Sequence, residues 1–158
     1  MRWGNSYAAL SLGNVLNLEI SQQWDGTILK QGEFVFLRFE RGTHNLFLDV
    51  DAPFYDDPAP AQPAGSTPGL WDYEVIEWFV VGSGSPRPYL EIELGPHGHH
   101  LVLHLEGVRN TVRTEKRLVF EARIDGSRWY GRASIPLAWL PQGPHFHNGY
   151  AIHGVGMA

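Results

Sequence analysis

Cysteine is absent from this chain of 158 residues, and methionine occurs only twice. Without cysteine, the protein can form no disulfide framework, no thiolate nucleophile and no cysteine-ligated zinc site. The absence is typical of proteins from a reducing compartment, and we therefore expect a soluble, cytoplasmic protein.

Long apolar runs and basic clusters are also absent from the sequence. No stretch approaches the roughly 20 apolar residues that a membrane-spanning helix needs. Gly13, Asn14 and Asn17 interrupt the N-terminal region before a signal-peptide core can form. The formal net charge is −5, from 12 basic and 17 acidic side chains. We therefore expect neither nucleic acid nor a membrane as a partner.

Helical periodicity is missing as well, and alternation takes its place. Aromatic residues make up 13% of the chain, and 18 glycines occur along it. Short segments that alternate apolar and polar residues predict about nine strands and no long helix. The predicted strands cover residues 15–20, 34–40, 46–50, 73–81, 89–94, 100–105, 118–124, 129–135 and 150–152. This pattern predicts an all-β fold, namely an antiparallel β-sandwich of jelly-roll type.

The chain reads as one domain with an extension and one unusual loop. Residues 1–13 show no period and predict an N-terminal extension, so the sandwich domain is placed at residues 14–158. Residues 51–69 are rich in proline, which donates no hydrogen bond to a sheet. We expect a long surface loop there, which is either a functional loop or a variable insertion.

Three consecutive strands between Leu70 and Leu105 organise the rest of the chain. The first, residues 73–81, is apolar on both faces and should run through the middle of a sheet. Glu77 lies within it and should be buried, so its carboxylate needs hydrogen-bond donors. The candidate donors are Tyr89, His100, Arg109 and Arg132.

The second and third strands form a predicted hairpin, residues 89–94 and 100–105. If their leucines share the core, a four-residue loop, Gly95–Gly98, is the simplest connection. Glu93 then lies opposite His100, because a five-residue loop would place His100 and His104 among the core leucines. This register predicts a polar face that carries Tyr89, Glu91, Glu93, His100 and His104.

Such a face allows several kinds of chemistry. Two carboxylates at a suitable separation can perform acid–base hydrolysis, and histidines with a carboxylate can bind zinc, copper or nickel. However, the sequence contains no HExxH motif and no closed four-ligand pattern. We assign no catalytic residue, metal or cofactor, since a solvated face with salt bridges to arginine is the simpler explanation.

Two further groups of residues could bind an ion or a ligand. Aspartates in and beside residues 49–57 could bind calcium, although turn and capping roles fit their spacing better. Exposed aromatic rings could instead stack on a ligand. The candidates are Trp24, Trp71, Trp78, Tyr89, Tyr130 and Trp139.

Six separated motifs carry a resemblance to a known family. They are WDG at 24–26, DAPFYDDP at 51–58, LWDYEVIEWF at 70–79, YLEIELGPHGHHLVL at 89–103, RASIPLAWLP at 132–141 and AIHG at 151–154. Together they resemble a family of uncharacterised open-reading-frame proteins from animals and bacteria. That family is in turn similar in fold to DOMON-like β-sandwiches, which include family-nine carbohydrate-binding modules. Its members continue beyond the AIHG motif, so the resemblance implies a sandwich that lacks its last strand.

These observations lead to one main hypothesis and two alternatives. The main hypothesis is a non-catalytic module that binds a carbohydrate-like or small polar ligand. Its predicted ligand-binding residues are Trp71, Glu77, Tyr89, Glu91, Glu93, His100 and Arg109. The alternatives are an enzyme that uses the Glu/His face and a protein-interaction module that uses the proline-rich loop.

Overall fold

The computed structural model describes residues 8–9, 15–143 and 146–154. Its strands, β1 to β11, span Ala8–Ala9, Val15–Ile20, Val35–Arg41, Asn45–Pro53, Val75–Val81, Pro88–Leu94, His100–Glu106, Thr111–Glu115, Val119–Asp125, Arg128–Pro136 and Phe146–Ile152. Single turns of 3-10 helix cover Gln31–Glu33, Leu70–Asp72 and Leu137–Trp139. Within the described residues, no helix is long and apolar enough to span a membrane.

The strands form two antiparallel sheets, and this confirms the predicted all-β sandwich. One sheet has six strands in the order β1-β11-β5-β6-β7-β8, and the other has five in the order β2-β3-β4-β10-β9. Strand β5 lies inside the six-stranded sheet, as its two apolar faces predict. Of the predicted extension, only β1 is described, and it pairs with β11.

Alternate residues of both sheets fill the space between them. From the six-stranded sheet, Ile76, Trp78 and Val80 point inward, and none of them is more than 3% exposed. Leu48 and Ile135 meet them from the five-stranded sheet. The opposite side of the six-stranded sheet, which carries Glu77, is called the outer face below.

The proline-rich loop begins later than predicted. Strand β4 continues to Pro53, which pairs with Arg128, the first residue of β10. The loop therefore covers residues 54–69. The Glu74 carboxylate accepts hydrogen bonds from the backbone N–H groups of Tyr55 (3.0 Å) and Asp57 (3.3 Å). Asp57 in turn accepts a bond from the backbone N–H of Gly154. These bonds hold the loop against the end of the six-stranded sheet.

A hairpin tip at residues 21–29 joins β2 to β3, in the five-stranded sheet. The backbone N–H of Gln23 donates to the Thr27 carbonyl at 2.8 Å, and Gly26 adopts a φ of 89° that favours glycine. Trp24 at this tip is 84% exposed. The tip therefore projects an aromatic ring into solvent, on the sheet opposite the outer face.

The predicted register of the β6–β7 hairpin is wrong. Leu94 pairs with His100 and Glu93 pairs with Leu101, so the loop has five residues, Gly95–His99. The Gly95 N–H donates to the His99 carbonyl (2.9 Å), and Gly98 takes a positive φ of 86° that admits the extra residue. His100 consequently lies on the face opposite Glu91 and Glu93.

The buried histidines are accommodated where the sheet meets β8 and β9. The His100 ring contacts Phe120 edge to face at 6.4 Å. The His104 ring contacts Trp139, and its Nε2 lies 3.1 Å from Glu115 Oε1. Aromatic packing and one carboxylate thus offset part of the cost of polar rings on the inner side, where His100 Nε2 is buried without a hydrogen-bond partner among the described residues.

Candidate functional site on the outer face of the six-stranded sheet

Strand pairing brings three glutamates together on the outer face. Glu77 of β5 lies directly opposite Glu93 of β6, and Glu91 lies one step along β6, opposite Phe79. Side chains of residues i and i+2 share a face, which places all three carboxylates on the same side. One oxygen from each lies within 4.8 Å of the others.

These carboxylates are removed from water to different degrees. Glu93 has no exposed surface, Glu77 is 8% exposed, and Glu91 is half-buried. Neither oxygen of Glu93 has a hydrogen-bond partner outside the cluster among the described residues, and within the cluster its carboxyl group shares a hydrogen bond with that of Glu91. No salt bridge within the described part of the chain involves any of the three.

The environment strongly favours the protonated forms. Burial raises the pKa of Glu77 to about 7, and the charge of Glu91 adds to the effect. Burial also raises the pKa of Glu93 to about 10, with further contributions from nearby carboxylates, including that of Asp72. Without a counter-charge, the cluster therefore carries fewer negative charges at neutral pH than its three carboxylates allow.

Glu77 is buried as predicted, but the predicted donors do not reach it. Arg132 bonds the Asp49 carboxylate on the other sheet at 2.7 and 2.9 Å. His100 lies on the inner side of its sheet, and the Arg109 backbone N–H donates to the Tyr89 hydroxyl at 3.1 Å. The neighbours of Glu77 are carboxylates instead of cations.

Half-buried aromatic rings border the glutamates. Phe79 contacts Tyr150 edge to face with ring centres 5.8 Å apart, and it lies 6.5 Å from the ring of Tyr89. Tyr150 pairs directly with Glu77 across β5 and β11. The outer face therefore combines acceptor oxygens with flat apolar rings.

The structure brings most of the predicted ligand-binding residues to this side of the sheet. Glu77, Tyr89, Glu91 and Glu93 share the outer face. Trp71, 47% exposed, belongs to the 3-10 turn whose Leu70 packs on that face against Val75 and Leu101. Arg109 lies in the β7–β8 turn beside Tyr89.

Two parts of the sequence prediction require correction. His100 does not belong to the group, so a combined Glu/His face does not exist and the enzyme hypothesis in that form is wrong. Trp78 is fully buried, and its Nε1 donates to His147 Nδ1 at 3.0 Å, so it cannot stack on a ligand.

Sequence reasoning missed Phe79 and Tyr150 as members of the site. The signal for Phe79 was its position two residues after Glu77 in the same strand, which places both side chains on one face. The signal for Tyr150 was its place in a strand next to β5, which only the strand order reveals.

Three of the aspartates near residues 49–57 have structural partners, but only Asp57 has the predicted capping role, since Asp49 and Asp51 lie within strand β4 and pair with arginines. Asp49 pairs with Arg132, Asp51 with Arg128 at 2.6 Å, and Asp57 caps the Gly154 N–H. A small pocket lies nearby, between the proline-rich loop and the β6–β7 turn, and is lined in part by Tyr73, Glu74, His97 and His99. None of the predicted ligand-binding residues lines this pocket.

Comparison with known proteins places the chain in a family. No model of a protein family matches it. It is 43% identical over 143 residues to the UPF0462 protein C4orf33 homolog of Danio rerio, a match that covers 89% of this chain and 72% of the relative. The human UPF0462 protein C4orf33 is 40% identical over 141 residues, with 88% and 70% covered. The chain belongs to the UPF0462 family.

A solved structure supports the fold of this UPF0462 member. It is the crystal structure of "a putative carbohydrate-binding protein" from Bacteroides uniformis, with a TM-score of 0.61 and 15% sequence identity. The alignment covers 88% of this chain and 71% of that one. At this identity, the comparison establishes a shared β-sandwich and leaves function to be argued from the site.

Proposed function

We propose that this protein is a non-catalytic binding module that holds a carbohydrate-like or small polar ligand on the outer face of its six-stranded sheet. The observation that carries the proposal is the cluster of Glu77, Glu91 and Glu93 bordered by the rings of Phe79 and Tyr89.

The two kinds of side chain would divide the work of recognition. Sugar rings present apolar C–H faces that pack on aromatic rings, and Tyr89 and Tyr150 supply such rings. Sugar hydroxyl groups both donate and accept hydrogen bonds, and the carboxyl groups of the cluster can match them as donors when protonated and as acceptors when ionised. A few polar groups within an apolar surround are typical of small-molecule sites.

Among the described residues, the outer side of the five-stranded sheet differs from this cluster in how its charges are arranged. This side pairs its charges internally, as in Arg132–Asp49 and Arg38–Glu40. Arg123 lies over the ring of Tyr130 at 4.4 Å, which covers that aromatic face. The proposal therefore assigns the ligand to one side of the sandwich.

A glycan array followed by calorimetric titration tests the proposal. We expect binding of at least one glycan, weakened about tenfold or more in Tyr89→Ala and in Glu91→Gln, which each remove one contact. Tyr130→Ala is the matched control, because it removes a half-buried tyrosine from the other sheet.

Three results would contradict the proposal. The first is the absence of binding to any glycan, together with no shift in melting temperature by simple sugars. The second is equal loss of binding in Tyr130→Ala, which would move the site to the other sheet. The third is the release of reducing sugar from a bound glycan, which would identify an enzyme.

A further inference from the structure

We infer that Glu77, Glu91 and Glu93 form a binding site for one calcium ion on the outer face. The inference rests on the proposed function only for the role of the ion, which is to hold hydroxyl groups of the ligand. Ion binding itself is argued from the geometry of the three carboxylates and is tested separately.

The donor set selects the class of metal. All three side chains offer carboxylate oxygens, and the cluster includes neither histidine nor cysteine. Oxygen-only sites prefer hard cations such as calcium and magnesium, whereas zinc and copper favour nitrogen and sulfur.

The distances fit a single ion. Two oxygens bound to the same ion are separated by at most twice the metal–oxygen distance. For calcium, with bonds of about 2.3–2.6 Å, this limit is about 4.6–5.2 Å, and for magnesium it is about 4.2 Å. The three oxygens lie within 4.8 Å of one another, so a single calcium ion can contact all three after side-chain adjustments of at most a few tenths of an ångström.

Glu93 gives an independent indication of a missing partner. Its side chain is completely buried, and within residues 15–143 and 146–154 both of its oxygens lack a hydrogen-bond partner other than the carboxyl group of Glu91. Buried carboxylates are normally paired or bound to a metal, because burial of an uncompensated polar group costs free energy. One of these oxygens points toward those of Glu77 and Glu91.

Among the described residues, the charged groups that act on Glu77 and Glu93 are carboxylates. Arg128 and Arg132 of the five-stranded sheet are paired with Asp51 and Asp49, on the far side of the sandwich. Asp72 adds a fourth acidic group in the neighbourhood of Glu93. A divalent cation would balance part of this charge, and half-buried Glu91 leaves a side open to water or ligand hydroxyls.

A thermal melt with added calcium tests the inference. The intact chain, treated with EDTA and dialysed, is melted in calcium chloride, in magnesium chloride and in sodium chloride of equal ionic strength. We expect a saturable rise of about 5 °C or more in calcium at 100 times the dissociation constant. Titration calorimetry should give one ion per chain.

Two variants assign the effect to the cluster. Glu93→Gln should abolish the calcium shift, and Glu91→Gln, at a half-buried position that tolerates change, should weaken calcium binding about tenfold or more. Glu121→Gln is the control, since it neutralises an exposed glutamate of β9 and should keep the full shift.

The possible outcomes distinguish a failure of the calcium-site inference from a failure of the proposed ligand-binding function. The inference is overturned if calcium causes no saturable rise in the melting temperature of the unaltered chain. It is also overturned if Glu91→Gln and Glu93→Gln both show the same rise as the unaltered chain. If glycan binding is unchanged in EDTA and calcium does not raise the melting temperature, the calcium site is refuted and the proposed binding function stands. If calcium raises the melting temperature but no glycan binds, the calcium site stands and the proposed function is refuted.

Discussion

In the proposed ion site, Glu93 would favour binding at the expense of stability. In EDTA, its buried carboxyl group has no partner outside the cluster among the described residues, so Glu93→Leu should raise the free energy of unfolding by about 1–3 kcal/mol. Chemical denaturation in EDTA measures the change. The same variant should show no calcium shift, and a lower stability than the unaltered chain would show that a partner for Glu93 exists.

His147 predicts a loss of stability in mild acid. It is 1% exposed, its Nδ1 accepts the Trp78 N–H, and burial lowers its pKa to about 4. The unfolded chain, with a histidine pKa of about 6.5, binds the proton more readily, so stability is full above pH 6.5 and falls as the pH drops toward 4. At pH 5, protonation linked to this one histidine should lower the free energy of unfolding by on the order of 2 kcal/mol relative to neutral pH.

Replacement of His147 separates its share of the acid-induced loss of stability from the share of the other histidines. His147→Gln keeps an acceptor for Trp78 and cannot titrate, so its stability should fall less between pH 7 and pH 5 than that of the unaltered chain. Urea denaturation at the two pH values gives the comparison. Parallel decreases in both proteins would exclude His147 as the titrating group.

At the scale of single strands, the alternation of apolar and polar residues predicted where strands lie and which residues share a face. Strand β2 was predicted with its observed bounds, and the two faces of β5 were assigned as the structure has them. Strand β11 was predicted only from Tyr150, whereas it begins at Phe146. His147, and with it the bond to Trp78, was therefore missed.

Pairing between strands was predicted less well, because register depends on turns more than on strand composition. The β6–β7 turn gains a fifth residue through the positive φ of Gly98, and that one residue moves His100 to the other face. Similarly, the pairing of Glu77 with Glu93 depends on the connection at residues 82–87, which holds several glycine, serine and proline residues. Nothing in the alternation of β5 or β6 specifies that connection.

The proline-rich loop gives a prediction at the scale of one element. Glu74→Ala leaves the backbone N–H groups of Tyr55 and Asp57 without their acceptor and should release residues 54–69 from the sheet. Loss of two such bonds should lower the free energy of unfolding by about 1–3 kcal/mol. Limited chymotrypsin digestion should then cut after Tyr55 sooner than in the unaltered chain.

A matched variant controls for the loss of a carboxylate alone. Glu121→Ala removes an exposed glutamate from β9, far from the loop in sequence, and should digest at the original rate. Equal protection in Glu74→Ala and the unaltered chain would mean that other contacts hold the loop. Among these, the Thr67 N–H donates to the His100 carbonyl, and the His100 N–H donates to the Gly65 carbonyl.

At the scale of the whole molecule, the two sheets differ in what they present to solvent. The five-stranded sheet pairs arginine with aspartate and glutamate across its outer side. The outer face of the six-stranded sheet instead holds three buried or half-buried glutamates beside aromatic rings, and these glutamates form no salt bridge within the described residues. Because the proposed site lies on paired strands, its geometry depends on sheet register and little on the lengths of distant loops.

The projecting hairpin tip, together with the lack of cysteine, provides a chemical handle. Trp24→Cys would place the molecule's single thiol on a tip that is 84% exposed, in a chain that otherwise has none. A maleimide dye or a surface linker would then be attached at the same point of every molecule, on the sheet that does not carry the proposed site. We expect immobilised protein to bind calcium as the free protein does, so array experiments can be run on uniformly attached molecules.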